Sequence, residues 1–162
     1  MIMMKKTIFL VILLYLVFLN TFSSRAYCQD WVYVGTNENY TQYYKSSSVT
    51  IDKQNKTIKV WEKKVYTAKG RIDWLNSQDS LEKNNYNDIQ YISALLIFDY
   101  NNLKYTVNKI TGYSKAGVEL FSEQYQIEWI NIITVSIGAI LLNKVLKDYN
   151  IQQYCSVNCP VK

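Results

Sequence analysis

Residues 136–149 read SIGAILLNKVLKDY, and how this stretch folds decides the architecture. Ile137, Ile140, Leu141, Leu142, Val145, Leu146 and Tyr149 recur mostly at spacings of three and four, with Asn143, Lys144, Lys147 and Asp148 on the other side. Ser136 stands where an N-cap belongs, and Lys144 and Lys147 lie toward the end that favours cations. The spacing therefore predicts one amphipathic helix. A single oily stripe must be buried against a second layer, so the rest of the chain has to supply a sheet. A membrane-active helix is the competing reading, but the polar side is not strongly basic.

Working back from the helix, Ile89 to Tyr100 is nearly continuously apolar, and its centre, Ala94 to Phe98, reads as a central strand. Asn101 and Asn102 turn the chain, Lys104 to Tyr113 alternates as a strand, and Ser114 to Gly117 turns it again into Val118 to Tyr125. Gly117 suits the positive φ of a hairpin loop. Upstream, Trp31 to Tyr44 reads as a hairpin broken by the turn residues Gly35 to Asn39. Beyond the polar breaks at Ser46 to Ser48 and Asp52 to Lys56, Thr57 to Thr67 is the next strand. Residues 68–87 show no sustained period, with Trp74 and Leu75 as their only strong apolar pair, and are expected to be a long loop with one helical turn. The predicted class is α+β, mainly β: an antiparallel sheet of five or six strands with one C-terminal helix packed on it.

The first residues carry Lys5 and Lys6, then the apolar run Ile8 to Leu19, then Ser24 and Ala26 in the small positions before Tyr27. That order is a cleavable signal peptide, 1–26, followed by one domain, 27–162. The apolar run is short of the about 20 residues of a spanning helix. Arg25, Ala26 and Tyr27 before Cys28 do not form a lipoprotein signal. Lys5, Lys6 and Arg25 leave with the signal, taking 18 basic residues to 15 against 13 acidic, a balance with no clustering for nucleic acid. Export out of the cytoplasm favours disulfides among Cys28, Cys155 and Cys159. Cys28 with Cys155 or Cys159 closes the longest loop, a local Cys155–Cys159 bond or free thiols being the alternatives.

The chain has no histidine, which removes Ser/His and Cys/His nucleophilic catalysis and leaves no metal-ligand pattern. Phosphate loops, dinucleotide fingerprints and calcium loops are absent, so no cofactor is called for. Asp73, Asp79, Glu82 and Asp88 cluster in the long loop, interleaved with Arg71, Lys83 and asparagines as on a solvated surface. The tyrosines are numerous, and Tyr combines large area with a polar tip at recognition surfaces. Trp74 with Tyr40, Tyr43 and Tyr44 forms the candidate binding surface for a protein partner. The plainer account is that Trp74 plugs the edge of the core and that the tyrosines simply favour strands.

The order of short aromatic motifs resembles the surface-adhesin protein E family of exported bacterial domains. It runs from Trp31-Val32-Tyr33-Val34 through Tyr43-Tyr44, Ser48-Val49 and Lys59-Val60-Trp61 to Phe98-Asp99, Tyr105 and Tyr113-Ser114-Lys115-Ala116-Gly117. Trp129, Ile132 and Ser136-Ile137 complete it. The resemblance implies a strongly curved antiparallel sheet with a C-terminal helix, a periplasmic or surface location, and adhesin-like recognition of a protein of the envelope or of the extracellular matrix, such as vitronectin or laminin. Two positions depart from the family: Tyr100 stands where Cys is frequent, and Thr134-Val135 where Pro-Gly is. The reading is thus a non-catalytic exported binding module; the alternative is a periplasmic structural or envelope accessory protein without a host ligand.

Overall fold

The chain divides into two units, Met1–Asp30 and Trp31–Lys162. The computed structural model describes residues 30–78, 86–134 and 136–151, so the signal-peptide expectation for 1–26 lies outside the described residues. In the second unit the elements are β1 (Trp31–Thr36), β2 (Tyr40–Lys45), a 3-10 turn (Ser46–Ser48), β3 (Thr50–Asp52) and β4 (Thr57–Tyr66). Helix α1 (Ala68–Asn76), β5 (Ile89–Asp99), β6 (Lys104–Ser114), β7 (Glu119–Gln124), β8 (Ile130–Asn131) and helix α2 (Ile137–Asp148) follow.

All strand pairs are antiparallel, in the order β1-β2-β4-β5-β6-β7, with β3 added on β4 and β8 on β6. The sheet therefore has eight strands rather than the five or six expected. The two extra are short returns of three and two residues, too brief to show a period of two in sequence. Register shifts near Gly35, Leu96 and Tyr113 bend and twist the ladder where they occur.

One device is used twice to reverse the chain. Asp52 accepts from the backbone N–H groups of Gln54 and Asn55 at 3.0 and 2.9 Å, and Asp99 from those of Asn101 and Asn102 at 3.1 and 2.9 Å. The side-chain amides of Asn55 and Asn102 each donate to the second carboxylate oxygen at 2.7 Å. The closing residues Lys56 and Leu103 sit at φ 57° and 51°, and Gly117 takes φ 79° as its hairpin requires.

Ser136 caps α2 by accepting from the Ala139 N–H at 3.3 Å. Leu141, Leu142, Val145 and Leu146 then bury against Tyr44, Ile58, Val60, Leu96 and Phe98. Each fully buried aliphatic side chain contributes about 1.5–3 kcal/mol. Ile140 and Tyr149, expected in the stripe, are 47 % and 36 % exposed, and the Ile137 side chain lies outside the described residues. The stripe is thus narrower than the sequence implies, because the sheet meets one side of the helix only.

The far end of α2 is tied down by polar groups. Tyr44, buried, donates its Oη to Asp148 Oδ2 at 2.6 Å, and Lys144 Nζ reaches both Asp148 oxygens at 2.6 Å. Burial pulls the Asp148 carboxyl upward, but the hydrogen bonds from Lys144 and Tyr44 outweigh it and hold the group below its ordinary range. A depressed folded-state value stabilises the fold above the unfolded-state pKa and ceases to do so as pH falls through the folded one. Asp148→Asn is therefore expected to flatten the acid limb of a stability curve, below the ordinary carboxylate range. An acid limb unchanged from wild type would remove this carboxylate as a cause.

The disulfide expectation is corrected: no disulfide bond is found among the described residues, and Cys28, Cys155 and Cys159 lie outside them. The described core closes through sheet and helix packing in which no cysteine takes part.

Candidate binding cleft

Residues directly opposed across an antiparallel ladder point to the same face. On the face that carries α2, β2 and β4 set Tyr40 beside Tyr66, Gln42 beside Lys64 and Tyr44 beside Glu62. The same face continues through Ile92 beside Gly112, and Gly112 beside Phe121. Helix α2 covers only the end with Tyr44, Ile58, Val60 and Phe98. The opposite end is met instead by α1.

The expected loop at 68–87 thus contains a nine-residue helix, Ala68–Asn76, with no sustained amphipathic period: its one buried residue is Gly70, and the apolar Ile72 is exposed. Its signal is the cap: Thr67 Oγ1 accepts from the Gly70 N–H at 3.0 Å. Thr67 also docks the helix on the β1–β2 turn, its N–H donating to Asn39 O at 2.9 Å and its hydroxyl to Glu38 O at 2.7 Å. Lys69 adds an ion pair to Glu38 at 2.7 Å. Gly70 is required here, since a Cβ would stand 1.8 Å from Asn39 O.

So placed, Trp74 lies 6.2 Å from Tyr66 and 5.9 Å from Tyr86, and stacks on Phe121 at 5.8 Å with the planes 8° apart. Tyr86 and Phe121 are 5.0 Å apart, and Tyr40 meets Tyr66 edge-on at 6.4 Å. The Phe121 ring lies directly over Gly112, where a Cβ would come within 2.1 Å of it. Between these rings opens a pocket of about 140 Å³. Ile92 and Ile110 line its sheet side, and Glu123 and Tyr125 stand at its exposed edge. The Tyr125 hydroxyl donates to Glu123, and that bond, aided by partial burial, pushes its pKa up to about 12.

Beside the pocket the same face carries a buried polar row. Gln42 Nε2 donates to Glu62 Oε1, and Glu62 pairs with Lys64 Nζ at 3.3 Å. Burial alone would lower Lys64, but the Glu62 carboxylate raises it above its ordinary value. Tyr66 is raised chiefly by burial, with Tyr40 and Glu62 adding to it. Gln42 is fully buried, and its Oε1 has no hydrogen-bond partner among the described residues.

The four residues singled out in the sequence separate. Trp74 and Tyr40 are joined through Tyr66. Tyr43 faces the other way, where Lys63 Nζ sits 4.4 Å from the Trp31 ring and 5.4 Å from the Tyr43 ring. Tyr44 is 1 % exposed and belongs to the core under α2, so it is removed from the candidate surface. Alternation along β2 already separates Tyr43 from Tyr40 and Tyr44. Tyr66, Tyr86, Phe121, Glu123 and Tyr125 were not singled out, and only Gly112 within a strand hinted at a ring lying across it.

Of the carboxylates clustered in the sequence, Asp73 and Asp88 are exposed, and Asp79 and Glu82 lie outside the described residues. Asp73 is 4.0 Å from Lys69. Among the described residues no group of three or more His, Cys, Asp or Glu could hold a metal ion, and no helix is long and apolar enough to cross a membrane.

No protein-family profile and no curated protein matches the chain. Its fold is similar to that of Haemophilus influenzae protein E. One solved structure of that protein superposes with a TM-score of 0.48 at 11 % identity, covering 76 % of this chain and 89 % of that one. Its crystal form II gives a TM-score of 0.50 at 12 % identity, covering 75 % and 91 %. At this identity the likeness is one of fold: a large antiparallel sheet with a C-terminal helix.

Proposed function

We propose that the chain is a non-catalytic, exported binding module of the bacterial envelope, processed to residues 27–162, that grips one side chain of a protein partner in the Trp74 cleft. The observation that carries this is the pocket itself: about 140 Å³, walled by aromatic rings and open at the sheet edge. Drug-sized ligands occupy pockets of about 300–1,000 Å³. A cavity of about 150 Å³ takes a single benzene. The space thus fits an anchor residue, the unit on which protein interfaces concentrate their binding energy. The sequence resemblance to surface-adhesin protein E supports the adhesin-like, membrane-external setting, with the periplasm or the outer surface as location.

The test is binding of the exported protein to immobilised vitronectin, laminin and envelope extract. Trp74→Ala is expected to weaken binding about 30-fold or more, the effect of losing a hot-spot residue. Equal binding by wild type and Trp74→Ala would reject the cleft. Protease shaving of intact cells separates the surface-exposed module from a periplasmic accessory protein.

A further inference from the structure

The chemistry at the mouth of the cleft points to one class of side chain. Glu123 receives a hydrogen bond from Tyr125 and has no ion pair among the described residues. Lys64, the basic side chain on the same sheet face, is held by Glu62 and lies 5.2 Å from the Tyr40 ring. The Gln78 amide already donates to Trp74 O at 3.3 Å and Ser77 Oγ at 3.0 Å. Neither the Tyr125 hydroxyl nor the Gln78 amide is therefore free to receive an anion. What lines the pocket is the Trp74, Tyr86 and Phe121 rings and the Glu123 carboxylate, the one charged side chain among its lining residues. A neutral group would shield that carboxylate from water without pairing it, at a cost.

A cation is therefore favoured, and the sheet side selects among cations. Ile92 and Ile110 offer no acceptors to an ammonium, which is compact and strongly hydrated. A guanidinium is planar, weakly hydrated, stacks on aromatic rings and pairs with a carboxylate through two parallel N–H donors. We infer that the pocket takes an arginine side chain of the partner, its guanidinium among the aromatic rings of the lining and paired with Glu123. This rests on the reading of the cleft as a protein-anchoring site.

The experiment follows the Trp74 indole N–H by NMR in the exported protein, assigned with Trp74→Phe, during titration with N-acetyl-arginine amide. N-acetyl-lysine amide, tetramethylammonium and uncharged p-cresol serve as comparison probes. Saturable shifts with a Kd of about 1–10 mM are expected for the arginine probe, and about tenfold weaker binding for the others. Glu123→Gln, an exposed edge-strand change that leaves the core untouched, is expected to weaken the arginine probe about tenfold and to reduce its salt dependence. An unmoved Trp74 signal, p-cresol binding as well as arginine, or full arginine affinity in Glu123→Gln would each overturn the inference. Should partner binding still be lost in Trp74→Ala in those cases, the anchoring site stands and only its arginine preference falls. Should arginine seat while partner binding ignores Trp74→Ala, the partner's arginine is overturned together with the anchoring site.

Discussion

Leu141→Ala is expected to destabilise the domain by about 3–4 kcal/mol, read as a lower urea midpoint at unchanged slope. Leu141 is fully buried on α2, in the cluster with Leu142, Val145, Ile58, Val60 and Phe98. A twelve-residue helix is marginal by itself in water, so packing rather than propensity holds α2 in place. The neighbours on the far side are strand residues fixed by ladders on both flanks, which cannot collapse into the space that three lost heavy atoms would leave. The cavity cost therefore adds to the lost transfer energy. Ile140→Ala, one position away but 47 % exposed, is expected to change stability by about 0.5 kcal/mol or less. Equal effects from the two substitutions would mean that α2 does not present the face described.

Gly70→Ala is expected to cost about 2–3 kcal/mol and to dismantle the cleft while leaving the sheet intact. The added methyl would meet the backbone carbonyl of Asn39, at 1.8 Å from its oxygen, and a carbonyl held in a tight turn cannot rotate away as a side chain can. Helix α1 must lift, which breaks the Thr67 bonds to Glu38 and Asn39 and carries Trp74 off Phe121. Faster amide exchange confined to 68–76, a red-shifted Trp74 emission and lost partner binding are the expected readouts. Gly112→Ala provides the contrast, because there the clash is with the swinging ring of Phe121. It should empty the ring stack yet leave α1 protected. Wild-type exchange at 68–76 in Gly70→Ala would show that α1 is not docked through this contact.

Much of the architecture follows from local periodicity. Alternation along Thr57–Tyr66, the apolar run Ile89–Asp99 and the spacing of Leu141, Leu142, Val145 and Leu146 are each fixed by backbone geometry over a few residues. Helix α1 escaped because its one fully buried residue is a glycine, which adds nothing to an apolar pattern. The strands β3 and β8 escaped because two or three residues cannot establish a period.

From the chain of residues alone come the α+β class, the capped C-terminal helix, the hairpins and the lack of histidine chemistry, all properties of neighbours within one or two turns. The fold alone decided that α2 covers one end of a sheet face and leaves the other to α1. It also buried Tyr44 under α2 and laid Phe121 over Gly112 against Trp74. Such pairings are made through strand order and register, and no local pattern specifies which side chains a completed ladder will bring into contact.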